Sequence, residues 1–207
     1  MQGARESTTE AYLWGTLREG SSGQRSRWDF FRGFPFMNKQ RIILTGFMGT
    51  GKTVVGNKLA ERLHYYFIDL DCKIEEETGQ KIRDIFAQKG EPYFRKLEKE
   101  TLQQCLRQEN MVLSVGGGTI VDPENCRLMK EAGWVITLNA PPEILAQRLK
   151  GDESRPLLLV DNPLEKMTQL LEKREKAYLQ AHWVLDTSLK SVVEVVDAIL
   201  ERYYEEN

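Results

Sequence analysis

The chain has 207 residues, 41 % of them hydrophobic and 29 % charged, with a formal net charge of −2. That balance suits one globular unit with a sizeable core. It argues against non-specific nucleic-acid binding, which needs a strong basic field. No apolar run approaches the length of a membrane span. Cys72, Cys105 and Cys126 are odd in number, include no CxxC, and suit neither a disulfide framework nor a zinc site. With His64 and His182 as the sole histidines, a structural metal site is not expected, and a reducing, cytoplasmic compartment is.

Residues 1–36 are rich in Gly, Ser, Arg and Glu with scattered aromatics, and no helical or strand period persists. They lack an apolar signal core, and Glu6, Glu10, Glu19 and Asp29 count against a transit peptide. The expectation is a disordered or non-native extension over 1–36, with Met37 as the natural start of one domain over 37–207.

From Lys39 onward strands alternate with helices. Strand one is expected over 40–45, followed by a glycine-rich loop and a helix to Leu63. Tyr65 to Asp69 reads as strand two. Helical sequence over 71–89 is broken at Gly79 and Gly90, and a helix over 91–108 carries Phe94, Leu97, Thr101, Leu102 and Cys105 on one stripe. Met111 to Val115 is strand three. Asp122-Pro123 opens a helix to Ala132, with proline suited to a first turn. Trp134 to Leu138 is strand four, and Pro141-Pro142 opens a helix through Leu149. Residues 151–162 read as a loop, 163–180 as a long helix, Trp183 to Asp186 as strand five, and Val192 onward as a final amphipathic helix. This alternation predicts an α/β fold with a mostly parallel sheet covered on both faces. Ligands of such sheets sit at the carboxyl ends of the strands.

Three strand ends carry unusual chemistry. Gly46, Gly51, Lys52 and Thr53 fit G-x-x-x-x-G-K-[ST] between a strand and a helix, the phosphate-binding P-loop. Backbone N–H groups of such a loop curl around a phosphate, and the helix dipole favours the anion. Lys52 would reach the β- and γ-phosphates and Thr53 would ligate Mg²⁺. Asp69 and Asp71 end strand two. If strand geometry continues, both carboxylates face one cleft; if it ends at Leu70 they diverge. Strand three offers no Asp after its apolar run, so Asp69 is the expected second Mg²⁺ group, through a metal-bound water. Each aspartate also fits a plain helix N-cap. Gly116-Gly117-Gly118 after strand three suits close approach of a backbone to a ligand, although a tight turn would need only one or two glycines.

Arg95 lies beside the apolar stripe of its helix, where ordinary pairs with Glu98, or of Lys99 with Glu91, are the plain reading. Arg155-Pro156 falls in a loop long enough to act as a lid over phosphates. Arg148 and Arg174 read equally as solvated charges.

Taken together these residues resemble the shikimate kinase family. Gly46 to Thr53 is similar to its P-loop, Asp69-Leu70-Asp71 to its D-x-D, and Gly90-Glu91-x-x-Phe94-Arg95-x-x-Glu98 to its substrate region. Gly116 to Thr119 is similar to its glycine triplet. Arg148 and Arg155-Pro156-Leu157-Leu158 resemble its adenine-side arginine and lid, and Arg174-x-x-x-Tyr178 and Asp186-Thr187 are also similar. The resemblance spans about residues 40–200.

It implies a P-loop three-layer αβα sandwich, with five parallel strands in order 2-3-1-4-5 and a mobile lid. It implies transfer of the ATP γ-phosphoryl to the 3-hydroxyl of shikimate, in chorismate and aromatic amino acid biosynthesis. Lys52, Asp71 and Arg155 are implied as catalytic. Gly49, Thr50, Gly51, Lys52, Thr53, Val54, Arg148, Arg155 and Lys190 are implied to bind ATP, with Arg148 stacked on adenine. Asp71, Arg95, Gly116, Gly117, Gly118 and Arg174 are implied to bind shikimate, and Thr53 and Asp69 to hold Mg²⁺. The implied partners are ATP and shikimate, with no nucleic acid and no membrane, and the implied state is a monomer. The residues agree: two guanidinium groups suit a carboxylate, and a carboxylate suits a reacting hydroxyl. Thr53 stands where serine is commoner, and Ala181-His182-Trp183 is bulkier than the family leads one to expect.

Three rivals remain at this point. A gluconate or nucleoside kinase shares the scaffold, though a nucleoside would favour aromatic stacking over two arginines. A GTP-dependent switch needs N-K-x-D downstream of the P-loop, whereas Asn38-Lys39-Gln40-Arg41 is upstream and lacks the Asp. A non-catalytic module is disfavoured by Lys52, Asp69, Asp71, Arg95 and Arg155 standing together.

Overall fold

The computed structural model describes residues 40–150 and 162–205. The expected extension over 1–36 and the Arg155-Pro156 loop lie outside the described residues. The element order is β1 (Arg41–Thr45), α1 (Lys52–Leu63), β2 (Tyr66–Asp69), α2 (Leu70–Thr78), α3 (Ile82–Cys105), β3 (Met111–Ser114), a 3₁₀ turn (Thr119–Val121), α4 (Pro123–Ala132), β4 (Trp134–Asn139), α5 (Pro142–Arg148), α6 (Pro163–Tyr178), β5 (Trp183–Asp186) and α7 (Val192–Glu205).

Five strands form one sheet in the order β2-β3-β1-β4-β5. Every neighbouring pair is parallel. Alternate side chains of the strands enter two separate cores, as period two requires. Ile43, Leu113 and Val135 pack with residues of α2 to α6, including Leu70, Ile85, Leu102, Met129, Leu145 and Met167. Ile42, Leu44, Val112 and Ile136 pack with α1 and α7 through Leu59, Val196 and Ile199. The apolar, non-alternating strands thus reflect burial on both faces.

Local chemistry explains the boundaries. Asp122 caps α4, its carboxylate accepting from Glu124 N at 2.8 Å and Asn125 N at 3.0 Å, with Pro123 in the first turn. α2 stops at Gly79, whose φ of 66° is left-handed. α3 joins the two helical stretches read from the sequence, with Gly90 a non-helical link at φ 78°.

Two sequence expectations change here. Leu97 is only partly buried, while Glu98 takes the buried position on the α3 stripe. A carboxylate tolerates that site because both its oxygens find donors, as set out below. The bulk of His182-Trp183 also has a use. His182 Nδ1 accepts the Val135 N–H at 3.0 Å. The Trp183 ring lies parallel to Trp134 with centroids 6.0 Å apart, and the Arg202 guanidinium sits 4.8 Å from the Trp183 centroid.

Candidate active site

β1 is the central strand, and its carboxyl end runs straight into the glycine-rich loop. Gly46 has φ 133°, and a Cβ there would collide with the Leu138 carbonyl of neighbouring β4. Gly51 is the N-cap of α1 at φ 91° and contributes no side-chain cap, so the first N–H groups of that helix are left to an anion. The Lys52 ammonium is folded over the loop, donating to Gly46 O at 2.9 Å and Phe47 O at 3.0 Å. Thr50 is buried and donates to Phe47 O at 2.8 Å, bracing the same turn. Gly49 lies against Leu149 of the segment that ends α5, and Val54 is exposed on the first turn of α1.

The carboxyl end of β2 lies two strands away. Strand geometry ends at Asp69, so the two aspartates diverge rather than share a strand face. Asp69 is the N-cap of α2: its Oδ1 accepts from Asp71 N at 3.1 Å and Cys72 N at 3.4 Å. Its other oxygen, Oδ2, accepts from the Thr53 hydroxyl at 3.0 Å. The cap and the functional reading therefore hold together at Asp69, one oxygen each. Asp71 sits in the first turn of α2, with Oδ1 3.3 Å from the position a Gly116 Cβ would take. Cys72 beside them has its thiol pushed up by burial and by the neighbouring acidic groups.

The glycine triplet follows β3 and makes room for side chains. A Cβ on Gly118 would stand 2.8 Å from Arg95 Nη2 and 2.9 Å from Nη1. A Cβ on Gly117 would stand 2.9 Å from Gly46 O, 3.0 Å from the Tyr178 hydroxyl and 3.5 Å from Arg174 Nη1. The triplet thus touches the P-loop on one side and both predicted carboxylate-binding arginines on the other. Absence of side-chain volume is what these positions need.

Arg95 pairs with Glu98 as the plain reading expects, and adds Glu91. It bonds both neighbours on its helix: Nη1 donates to Glu98 Oε2 at 2.7 Å, and Nε and Nη2 donate to Glu91 Oε1 at 3.2 and 3.1 Å. Lys99 pairs instead with Glu124 of α4. Burial pulls the Arg95 guanidinium pKa down, but Glu98 and Glu91 outweigh it, so the net direction is up. On α6, Arg174 hydrogen-bonds Tyr178, whose hydroxyl donates to Gly117 O at 2.9 Å. Burial raises the Tyr178 phenol above its usual value, with the Arg174 charge and hydrogen bond acting the other way.

On the far side of the loop, Arg148 ends α5 and reaches the turn after β5. Nη1 donates to Thr187 Oγ1 at 3.0 Å, and Nη2 donates to Thr187 O at 2.5 Å and Ser188 O at 3.4 Å. Thr187 is itself tied to Asn139 of β4. These bonds hold the guanidinium against the turn, and Arg148 remains exposed. Lys190 is exposed in the same turn, its N–H 3.4 Å from Thr187 O.

The structure therefore gathers Lys52, Thr53, Asp69, Asp71, Arg95, Gly116 to Gly118 and Arg174 around the ends of β1, β2 and β3, and sets Arg148 and Lys190 beside β5. Arg155 lies outside the described residues. Sequence reasoning placed Glu98 and Tyr178 within motifs but gave neither a role. Glu98 has a side chain only 2 % exposed; its position beside the apolar stripe was the available signal. Tyr178 gave no local signal, because its partner Gly117 is distant in sequence.

Comparison with known proteins agrees. The family model described as "Shikimate kinase" matches residues 48–204. A shikimate kinase from Persephonella marina is 48 % identical over 163 residues, 79 % of this chain and 98 % of that protein. One from Thermus thermophilus is 44 % identical over 164 residues, 79 % of this chain and 89 % of that protein. Among solved structures, shikimate kinase from Acinetobacter baumannii in complex with shikimate superposes with a TM-score of 0.78 at 37 % identity, covering 83 % of this chain and 97 % of the other. The Aquifex aeolicus shikimate kinase gives 0.69 at 35 % identity, covering 80 % and 97 %. The chain belongs to the shikimate kinase family.

Proposed function

We propose that this enzyme transfers the γ-phosphoryl of ATP to the 3-hydroxyl of shikimate through the residues assembled above. One relationship carries the reading: Gly46 O accepts from Lys52 and also stands 2.9 Å from the Cβ position of Gly117, which borders Arg174. A phosphate-binding lysine and a carboxylate-binding arginine are thereby held on opposite sides of one contact.

The roles follow from the chemistry. Arg95 and Arg174 hold the shikimate carboxylate, and the triplet supplies backbone N–H groups to its oxygens. Asp71 orients the 3-hydroxyl and accepts its proton as the oxygen attacks phosphorus. The bond from that oxygen to the γ-phosphorus forms, the bond to the bridging oxygen breaks, and ADP leaves. Lys52 shifts from its loop carbonyls onto the phosphates, and Arg155 adds positive charge from the lid side. Gly49 to Val54 wrap the phosphates, while Arg148 and Lys190 bound the adenine side.

Thr53 Oγ1 and Asp69 Oδ2 are a hard oxygen pair within 3.0 Å of each other, which fits Mg²⁺. Among the described residues no group of three or more His, Cys, Asp or Glu stands together as a metal cage. Two protein groups plus phosphate oxygens match the way Mg²⁺ is usually held in such sites. When bound, the ion neutralises charge on the β- and γ-phosphates.

We further propose residues 37–207 as the kinase domain, working as a cytoplasmic monomer on ATP and shikimate alone. Three free cysteines support a reducing compartment, and among the described residues no helix is long and apolar enough to cross a membrane. The test is a panel of acceptors offered with Mg-ATP. Phosphorylation of shikimate ahead of gluconate and nucleoside monophosphates supports the assignment; preference for either rival overturns it.

A further inference from the structure

Glu98 is a buried carboxylate with both oxygens engaged. Oε2 accepts from Arg95 Nη1 at 2.7 Å, and Oε1 accepts from the Thr119 hydroxyl at 2.6 Å. Thr119 is fully buried and opens the 3₁₀ turn directly after the glycine triplet, with its N–H on Gly116 O at 3.1 Å. Glu98 Oε1, Thr119 Oγ1 and Asp71 Oδ1 all lie within 3.4 Å of the one point where a Gly116 Cβ would stand.

We propose that Thr119 is a positioning residue for recognition of the substrate carboxylate, acting on Arg95 through Glu98. The proposal rests on the shikimate kinase reading above. Thr119 keeps one Glu98 oxygen for itself, so Glu98 meets Arg95 end-on through the other. A guanidinium carries five N–H donors in a rigid fork. The end-on pair leaves the remaining Nη1 and Nη2 donors, which lie against Gly118, for an incoming carboxylate. The other anchor of Arg95 is Glu91, whose side chain is 63 % exposed. A pair in water holds geometry weakly, so the aim of Arg95 depends on Glu98, and that of Glu98 on Thr119. Without the hydroxyl, Oε1 is a buried acceptor with no donor. The carboxylate then turns both oxygens toward Arg95, in the bidentate geometry such pairs favour, and competes with the substrate for the same N–H groups.

The test compares wild type, Thr119→Val and Thr119→Ser in steady-state kinetics with shikimate and with its uncharged methyl ester. Valine keeps the shape and removes the hydroxyl; serine restores it. T119V is expected to raise KM for shikimate about tenfold, the usual worth of a hydrogen bond to a charged group. kcat and the KM for ATP stay within about twofold, because binding is lost equally from ground and transition states. Preference for shikimate over the ester falls, and T119S recovers both KM and preference. If T119V does not fold, Thr119→Ala and T119S, both smaller than threonine, give the same comparison of hydroxyl absent with hydroxyl present. An unchanged KM for shikimate, equal losses on acid and ester, or a serine variant as impaired as the hydroxyl-free one overturns the proposal. A wild type that does not phosphorylate shikimate overturns the functional reading instead, before any variant is compared.

Discussion

The Thr53 hydroxyl donates to Asp69 Oδ2 at 3.0 Å while Asp69 Oδ1 caps helix α2. One carboxylate therefore faces the phosphate loop and also starts a helix, and the two duties separate by mutation. Asp69→Asn keeps a good capping oxygen but loses the charge; Asp69→Ala loses both. D69A should destabilise the fold by about 1 kcal/mol, a Tm loss of about 2–4 °C, and D69N by only a few tenths. Both variants should need more Mg²⁺ for half-maximal activity. Thermal melts and Mg²⁺ titrations of activity check this; a D69N enzyme with wild-type Mg²⁺ dependence removes Asp69 from the metal site.

Asp71 lies in the first turn of α2, with Oδ1 3.3 Å from where a Gly116 Cβ would stand. Asp71→Asn preserves size and hydrogen bonding but cannot take a proton. Turnover should fall by about 10²-fold or more, the usual range for an acid–base group, with ATP affinity intact by direct titration. Turnover close to wild type contradicts the role.

Gly117 and Gly118 should behave differently although adjacent. The Gly117 Cβ position is 2.9 Å from the P-loop carbonyl of Gly46, whereas that of Gly118 is 2.8 Å from Arg95 Nη2. Gly118→Ala should weaken shikimate binding alone. Gly117→Ala should impair ATP and shikimate together, with losses in kcat/KM of up to about 100-fold for a displacement near 1 Å. Separate KM values for the two substrates decide it; identical profiles for the two variants contradict the placement.

Glu75 joins α2 to the start of α3, accepting from Ile82 N at 3.0 Å and pairing with Lys81 at 2.7 Å. The Lys81 hydrogen bond comes first and the Ile82 N–H second in holding the Glu75 carboxyl below its usual 4.5. A lowered carboxyl contributes stability above its unfolded pKa and loses it as pH falls through the folded value. Glu75→Gln should therefore melt below wild type at pH 7, and the gap should narrow as pH falls below 4.5 and through the lowered folded value. Melting curves from pH 7 to pH 3 test this; a gap that does not narrow over that range means the stabilisation is not tied to the charge.

Most of the architecture was legible because its signals are local. The P-loop pattern, the Asp122-Pro123 start, the Gly79 stop and the apolar strands each act within a few residues, and α4 and β5 fall where the sequence places them. The strand order and acceptor pocket came through the family resemblance, since crossover topology leaves no local mark. What escaped depends on pairs distant in sequence. Glu98 reads as a solvated partner of Arg95 until Thr119, 21 residues away, supplies its second donor. Tyr178 gains its role from Gly117, 61 residues away. Asp69 and Asp71 were legible as a pair, but their division of labour turned on where β2 gives way to α2.

The central claim is that the phosphate loop and the carboxylate pocket form one transfer site. The most direct measurement is ADP release from Mg-ATP with and without shikimate, with the phosphorylated acid quantified in the same reaction. Release that depends on shikimate, with one phosphorylated shikimate formed per ADP and none in Lys52→Met, is the predicted result. ADP release at the same rate without shikimate, or no phosphorylated acid formed, contradicts it.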